Sequence, residues 1–286
     1  MSQPSFKTIS IRQLTGAMGA EISDVDLSGD LTGEQFEEIR TALFTYGVIG
    51  FRDQTLTFDA HRAFAKRFGT LEVHTIVNSL DDHPEIIKMH KPAGTAASFG
   101  VGWHTDNSFF EKPSLGSIVY GEVIPPVGGD TLFSNQQLAY ETLSSGMKET
   151  LDGLKAIHSA NDAYTSPTAL EKYDSDGPIS YKHSDIIAQS VEHPVIIKHP
   201  VTGKKALYVN PMFTDRFKGW TREESLPLIE FLCKHAVRED FQCRFRWEKG
   251  SVAMWDNRMV QHAALNDCEQ YERILYRVTV NGDALS

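Results

Sequence analysis

The sequence predicts a mostly β protein with flanking helices, and three observations carry that reading. Short runs rich in β-branched residues recur between Glu85 and Val280, divided by turn residues. Helical periodicity with clear start and stop signals is confined to a few segments. The 286 residues suffice for one barrel or sandwich, and no repeat, low-complexity tract or linker divides them. A single domain over residues 1–286 is the expectation.

The elements follow in order. "LTGEQFEEIRTALFTYG" opens on a capping box, Thr32 with Gln35, places Phe36, Ile39 and Leu43 on one face and stops at Gly47. "VIGF" is then a buried strand, and "TFDAHRAFAKRFG" repeats the helical plan with Phe58, Phe64 and Phe68 apolar. Strands are predicted at "EIIKMH", "GSIVYGEV", "AIHSA", "HPVIIKHP", "KALYVN", "FQCRFRW", "SVAMW" and "RILYRVTV". One more helix, "TREESLPLIEFLCKHA", carries a second capping box, Thr221 with Glu224. Residues 164–190 are polar and without pattern, which predicts a mobile loop or lid.

Composition excludes several classes of function. A net charge of −10 disfavours nucleic acid and anionic membranes, since both require cationic surface. No apolar run approaches the length of a membrane helix, and "MSQPSFKTISIRQL" lacks the features of a secretory signal. Cys233, Cys243 and Cys268 form no C-x-x-C pair and read as reduced thiols without a catalytic role. The expectation is a cytoplasmic protein, a homo-oligomer (dimer or tetramer), acting on a small molecule.

The chemistry centres on "GVGWHTDNSFF". On an extended chain His104 and Asp106 lean to one side, which is half of a metal site. "SVAMWDNRMVQHAALND" offers a third ligand, His262, just beyond a strand that ends at Trp255, Asp256 and Asn257. Two histidines and one carboxylate on one face of an ion leave positions open, the geometry of non-haem Fe(II) oxygenases. Read alone, the three residues also fit a satisfied polar cluster or a structural zinc site.

"YERILYRVTVNG" adds weight to the oxygenase reading. Arg273 and Arg277 share a strand face with Leu275 and Thr279, so two guanidiniums enter one cavity and require anionic ligands or internal acids. In "PPVGGDTLF", Gly128 and Gly129 permit a tight turn and Thr131 puts a hydroxyl at the start of the next strand. Trp103 and Trp255 read as core walls near the site, and His193 and His199 as turn and strand-end residues.

With "WHTD", "GGDTLF", "HPVTGKKALYVN", "WDNRMVQH" and "RILYR" in this order, the chain resembles the taurine dioxygenase / 2,4-D dioxygenase (TauD/TfdA) family over almost its whole length. The resemblance implies a double-stranded β-helix (jelly-roll) core and an oxidoreductase that uses Fe(II), 2-oxoglutarate and O2. It implies His104, Asp106 and His262 as metal ligands, Thr131 and Arg273 on the distal carboxylate of 2-oxoglutarate, and Arg277 on an anionic substrate. His74 matches a substrate-binding histidine of taurine-oxidising members and Phe213 an aromatic pocket wall. Val77 and Gly100 stand where those members carry a tyrosine and an asparagine, which points to a less polar or larger anion than taurine. The implied reaction hydroxylates an alkyl sulfonate, sulfate ester or aryloxyalkanoate next to a heteroatom, releasing succinate and CO2. Two alternatives use the same residues: a jelly-roll metal-dependent hydrolase or isomerase, and a catalytically silent anion-binding protein.

Overall fold

A computed structural model describes residues 4–96, 99–165 and 184–286. The first part of the chain gives β1 (Ser10–Gln13), β2 (Ala20–Ser23), α1 (Gly33–Tyr46), β3 (Val48–Phe51), α2 (Phe58–Lys66), β4 (Ile86–Lys91), β5 (Gly116–Val123) and β6 (Thr131–Asn135). There follow α3 (Gln136–Glu141), α4 (Ser145–Leu151), β7 (Lys155–Ser159), α5 (Asn161–Thr165), β8 (Ser190–Pro194), β9 (Ile196–Lys198) and β10 (Lys205–Leu207). The last part adds β11 (Thr214–Phe217), α6 (Arg222–Ala236), β12 (Gln242–Phe245), β13 (Val252–Asp256), β14 (Val260–Ala264) and β15 (Arg273–Val280).

Two sheets make the jelly-roll core. The larger has the order β1-β2-β3-β13-β5-β15-β4, and the smaller the order β12-β6-β14. Side chains alternate across the larger sheet, as the strand period requires. Ile118, Met254, Val278 and Val280 pack with Ile39, Leu43 and Phe64 of α1 and α2 on one face. Val119, Ala253, Trp255 and Leu275 pack on the other face with Phe133, Phe245 and Trp247. Gly50 of β3 is required by this second layer, because a Cβ there would collide with the Phe245 ring. A third layer packs α3, α4 and α6 against β7 and β11 through Leu151, Phe217, Ile229 and Leu232.

Local signals formed as predicted. Both capping boxes are present: Thr32 Oγ1 accepts from Gln35 N, and Thr221 Oγ1 from Glu224 N. The face carrying Arg273, Leu275, Arg277 and Thr279 is buried throughout, while Ile274 and Tyr276 opposite are partly exposed.

Four expectations need correction. "HPVIIKHP" is not one strand: β8 ends at Pro194 and pairs with β7, whereas β9 pairs with β10. His262 is not on a rim beyond β13 but in the middle of its own strand, β14, opposite Phe133. Asp106 is in a turn, with only His104 in extended pairing, through an isolated bridge to His262. Trp103 is half-buried rather than a core wall. Of the predicted loop at 164–190, Tyr164 and Thr165 end α5, residues 185–188 form a 3-10 turn and Ser190 begins β8; residues 166–183 lie outside the described residues.

Candidate active site

The bridge between His104 and His262 brings the two imidazoles together: each backbone N–H donates to the other residue's carbonyl, at 3.0 and 2.9 Å. Asp106, two residues on, turns inward beside them. Its Oδ1 lies 3.6 Å from Nε2 of His104 and 3.6 Å from Nε2 of His262. Its Oδ2 is anchored by Ser117 Oγ at 2.9 Å and Trp255 Nε1 at 3.2 Å. Trp255 is therefore more than the wall expected of it, since its indole N–H is shared between the carboxylate and Asn257 Oδ1 at 3.0 Å. The three candidate ligand atoms lie within 4.8 Å of one another.

Protonation suits this trio to a cation. His104 Nδ1 is 2.9 Å from the Gly102 carbonyl and must donate to it, which leaves the Nε2 lone pair facing Asp106. Burial and the neighbouring His104 push His262 down to about 3, so its ring is neutral. Burial would raise the Asp106 carboxyl, yet the Arg277 guanidinium beside it holds it well below the usual carboxylate range. Two imidazole nitrogens and one carboxylate oxygen form a donor set that fits Fe(II).

Two cavities meet at the trio. One is lined by Thr131, Trp247, Met89, Leu275, His262 and Arg273, the other by His74, Asn107, Asp106, Tyr164, Met212 and Phe213. Phe99, Gly100, His104 and Arg277 border both. In the first, Arg273 Nε has no hydrogen-bond partner among the described residues, and burial lowers the guanidinium to about 10. An uncompensated buried cation beside a hydroxyl fits the distal carboxylate of 2-oxoglutarate. Trp247 Nε1 donates to Thr131 Oγ1 at 3.0 Å, and the Arg273 guanidinium lies 5.8 Å from the Trp247 ring centroid. Sequence reasoning passed over Trp247, although Cys243, Phe245 and Trp247 alternate inward at the end of "FQCRFRW".

In the second cavity Arg277 Nη1 is 3.2 Å from Asp106 Oδ1 and Nε donates to Thr279 Oγ1 at 3.0 Å, while Nη2 has no partner among the described residues. His74 is buried at the cavity wall, with Nδ1 accepting from the amides of Ile76 and Val77. Phe213 meets His104 edge-on at a centroid distance of 6.4 Å. Val77 does not line the cavity; it packs with Phe99, which does. Gly100 has φ +71, and a Cβ there would meet His104 Cε1 at an ordinary 3.6 Å, so the pocket has room at this point. His193 and His199 are structural as expected: His199 Nε2 is bonded to Asp256 Oδ2 at 3.0 Å, and His193 Nε2 faces the Phe110 carbonyl at 3.0 Å.

A jelly roll with a His-Asp-His trio at the junction of a cationic inner cavity and an aromatic outer one defines a class, the metal-dependent oxygenases of this fold. The chain belongs to the taurine catabolism dioxygenase TauD, TfdA family, which it matches over residues 10–279. It is 36% identical over 284 residues to an alpha-ketoglutarate-dependent sulfate ester dioxygenase of Pseudomonas putida, covering 98% of this chain and 92% of that protein. It is 31% identical to an alpha-ketoglutarate-dependent 2,4-dichlorophenoxyacetate dioxygenase of Cupriavidus pinatubonensis, covering 93% and 95%. Among solved structures it resembles a taurine dioxygenase from Burkholderia xenovorans at a TM-score of 0.82 and 36% identity, covering 98% of this chain and 91% of that one. It also resembles AAD-2 in complex with Mn(II) and N-oxalylglycine, at a TM-score of 0.80 and 26% identity, covering 96% and 98%.

Proposed function

We propose that this chain acts as one Fe(II)- and 2-oxoglutarate-dependent dioxygenase domain that hydroxylates a small organic anion next to a heteroatom. The observation that carries the reading is the meeting of two cavities at His104, Asp106 and His262, with buried Arg273 in the inner one and buried Arg277 at the border of both. Iron with 2-oxoglutarate and O2 supplies the chemistry, an oxidative decarboxylation to succinate and CO2 coupled to hydroxylation of the substrate.

The residues divide the work of holding and excluding. His104, Asp106 and His262 hold the ion. Arg273 and Thr131 grip the distal carboxylate, with Trp247 fixing the Thr131 hydroxyl. N-oxalylglycine, named in the AAD-2 complex, is 2-oxoglutarate with an amide N–H in place of a methylene, which supports this assignment. Arg277 offers its unpartnered Nη2 to the substrate's anion, His74 stands beside it, and Phe213, Phe99 and Met212 keep water from the substrate's apolar body. Substrates on which the relatives act, sulfate esters and an aryloxyacetate, support a monoanion with a body more apolar than taurine.

Among the described residues no helix is long and apolar enough to cross a membrane. The three cysteines are free and buried, which supports a reducing, cytoplasmic setting. Half-exposed Leu226 and Phe231 on α6, with Trp220 just before it, support a dimer or tetramer, read out by light scattering. The function is tested by anaerobic titration with Fe(II) and 2-oxoglutarate, then a screen of organic anions for substrate-dependent succinate release. Full product yield without 2-oxoglutarate or O2 would establish a hydrolase instead.

A further inference from the structure

Glu72 is a buried acid with no part in the roles above. Asn107 Nδ2 donates to its Oε1 at 2.9 Å and its Oε2 at 3.0 Å, and Ser114 Oγ donates to Oε2 at 2.8 Å. These are neutral donors, and Glu72 forms no ion pair with a lysine or arginine among the described residues. Burial raises this carboxyl above its ordinary value, while the three hydrogen bonds and the nearby Arg277 guanidinium act the other way and favour the charged form.

The same contacts reach the outer cavity. Because the Asn107 amide nitrogen faces Glu72, its Oδ1 faces His74 Nε2, at 3.3 Å. His74 Nδ1 accepts from two backbone amides, Ile76 at 3.1 Å and Val77 at 3.0 Å, so the ring carries its proton on Nε2 and is neutral. Arg277, which borders the same cavity, is already shared with Asp106 at 3.2 Å. Glu72 Oε1 lies 3.9 Å from His74 Nε2. A hydrogen bond to Nε2 spans about 2.9 Å, so a head group there is within about 7 Å of the Glu72 charge.

We propose that Glu72 sets the charge of the substrate, admitting a head group with one negative charge and rejecting one with two. The inference rests on the reading that Arg277 and His74 face the substrate's anion. Arg277 compensates a first negative charge. Among the described residues a second meets a neutral histidine and the Glu72 carboxylate, which draws on the same Arg277, and a charged Glu72 at about 7 Å and an effective dielectric of about 20 disfavours it tens-fold. Sulfates, sulfonates and carboxylates then enter, and phosphate monoesters do not, being dianions above a second pKa of about 6.

The test compares hexyl sulfate, hexyl methyl phosphate and hexyl phosphate at pH 8, by kcat/KM for succinate release and by anaerobic calorimetry on the Fe(II)- and 2-oxoglutarate-loaded enzyme. The native protein is expected to take the sulfate and the singly charged diester, and to bind the monoester at least about ten-fold more weakly than the diester. Glu72→Gln should raise monoester affinity relative to the diester about ten-fold or more, and Glu72→Asp, which keeps the charge, should retain the native ratio. If Glu72→Gln does not fold, the neutral Glu72→Met is read in its place with the same expectation. An unchanged ratio in the neutral variant, or a native enzyme that takes monoester and diester equally, overturns the role of Glu72 and leaves the Arg277 reading standing. Failure of all three compounds to bind overturns that reading and this inference with it.

Discussion

Arg277 Nη1 lies 3.2 Å from Asp106 Oδ1, the same oxygen that stands 3.6 Å from Nε2 of both His104 and His262. The candidate substrate cation and the candidate metal carboxylate therefore share an atom, and a change at one is felt at the other.

Asp106→Ala removes the one anionic donor of the trio and strips Arg277 of its buried partner. We expect Fe(II) or Mn(II) affinity to fall by more than about 100-fold and turnover to vanish, with the secondary structure kept. The metal-free variant should be less stable by about 3 kcal/mol, since breaking a buried pair leaves an uncompensated charge. Calorimetric metal titration and melting curves check both.

Arg273→Ala should raise the KM for 2-oxoglutarate about 30-fold or more, corresponding to at least about 2 kcal/mol for one side of a desolvated charge pair. Trp247→Phe keeps the aromatic surface and removes only the N–H that holds Thr131 Oγ1 at 3.0 Å. It should raise the same KM several-fold, about 1 kcal/mol, and leave Fe(II) binding alone. A Trp247→Phe enzyme with native KM would show that the indole does not orient the hydroxyl.

Arg277→Ala should lose substrate-dependent turnover by about 30-fold or more in kcat/KM while still converting 2-oxoglutarate slowly to succinate. Succinate and substrate product are measured side by side. Native coupling in this variant would remove Arg277 from the substrate site.

Gly100→Asn introduces the amide that the family resemblance places here in taurine-oxidising members, at a position with φ +71, a region that asparagine tolerates. The added Cβ meets His104 Cε1 at 3.6 Å and Ala264 Cβ at 3.9 Å, so the variant should fold. Its preference should move toward small polar substrates, read as the ratio of kcat/KM for taurine to that for hexyl sulfate.

Acid should destabilise the fold through buried neutral histidines. Burial lowers His61 from 6.5 to about 4, against the Ile118 carbonyl that faces Nε2 at 3.1 Å. As pH falls through about 6.5 the unfolded chain takes up a proton that folded His61 refuses until about 4, so stability is full above this window and drops by about 3 kcal/mol across it. His61→Gln, which can still donate to Ile118, should lose correspondingly less stability between pH 7 and pH 4 in denaturant titrations.

What the chain reveals without a structure is whatever neighbouring residues decide among themselves. Thr32 with Gln35 and Thr221 with Glu224 close their capping boxes over three residues, and the alternation from Arg273 to Val280 follows from strand geometry alone. The ligand trio was legible because His104 and Asp106 are two residues apart and "WDNRMVQH" and "RILYR" recur together in a family. β1 and β11 were missed because they are short and poor in buried apolar residues, and β2 because its alternation, buried Ala20 and Ile22, is only four residues long.

Other features exist only once the sheets close. Trp255 reaches Asp106 across 149 residues, Trp247 reaches Thr131 across 116, and Asn107 reaches Glu72 across 35. No local pattern specifies such pairs. Each forms because burial leaves a polar atom that must find a partner from whatever the packed layers bring beside it; the register of β13 on β5 sets this for Trp255, and that of β12 on β6 for Trp247.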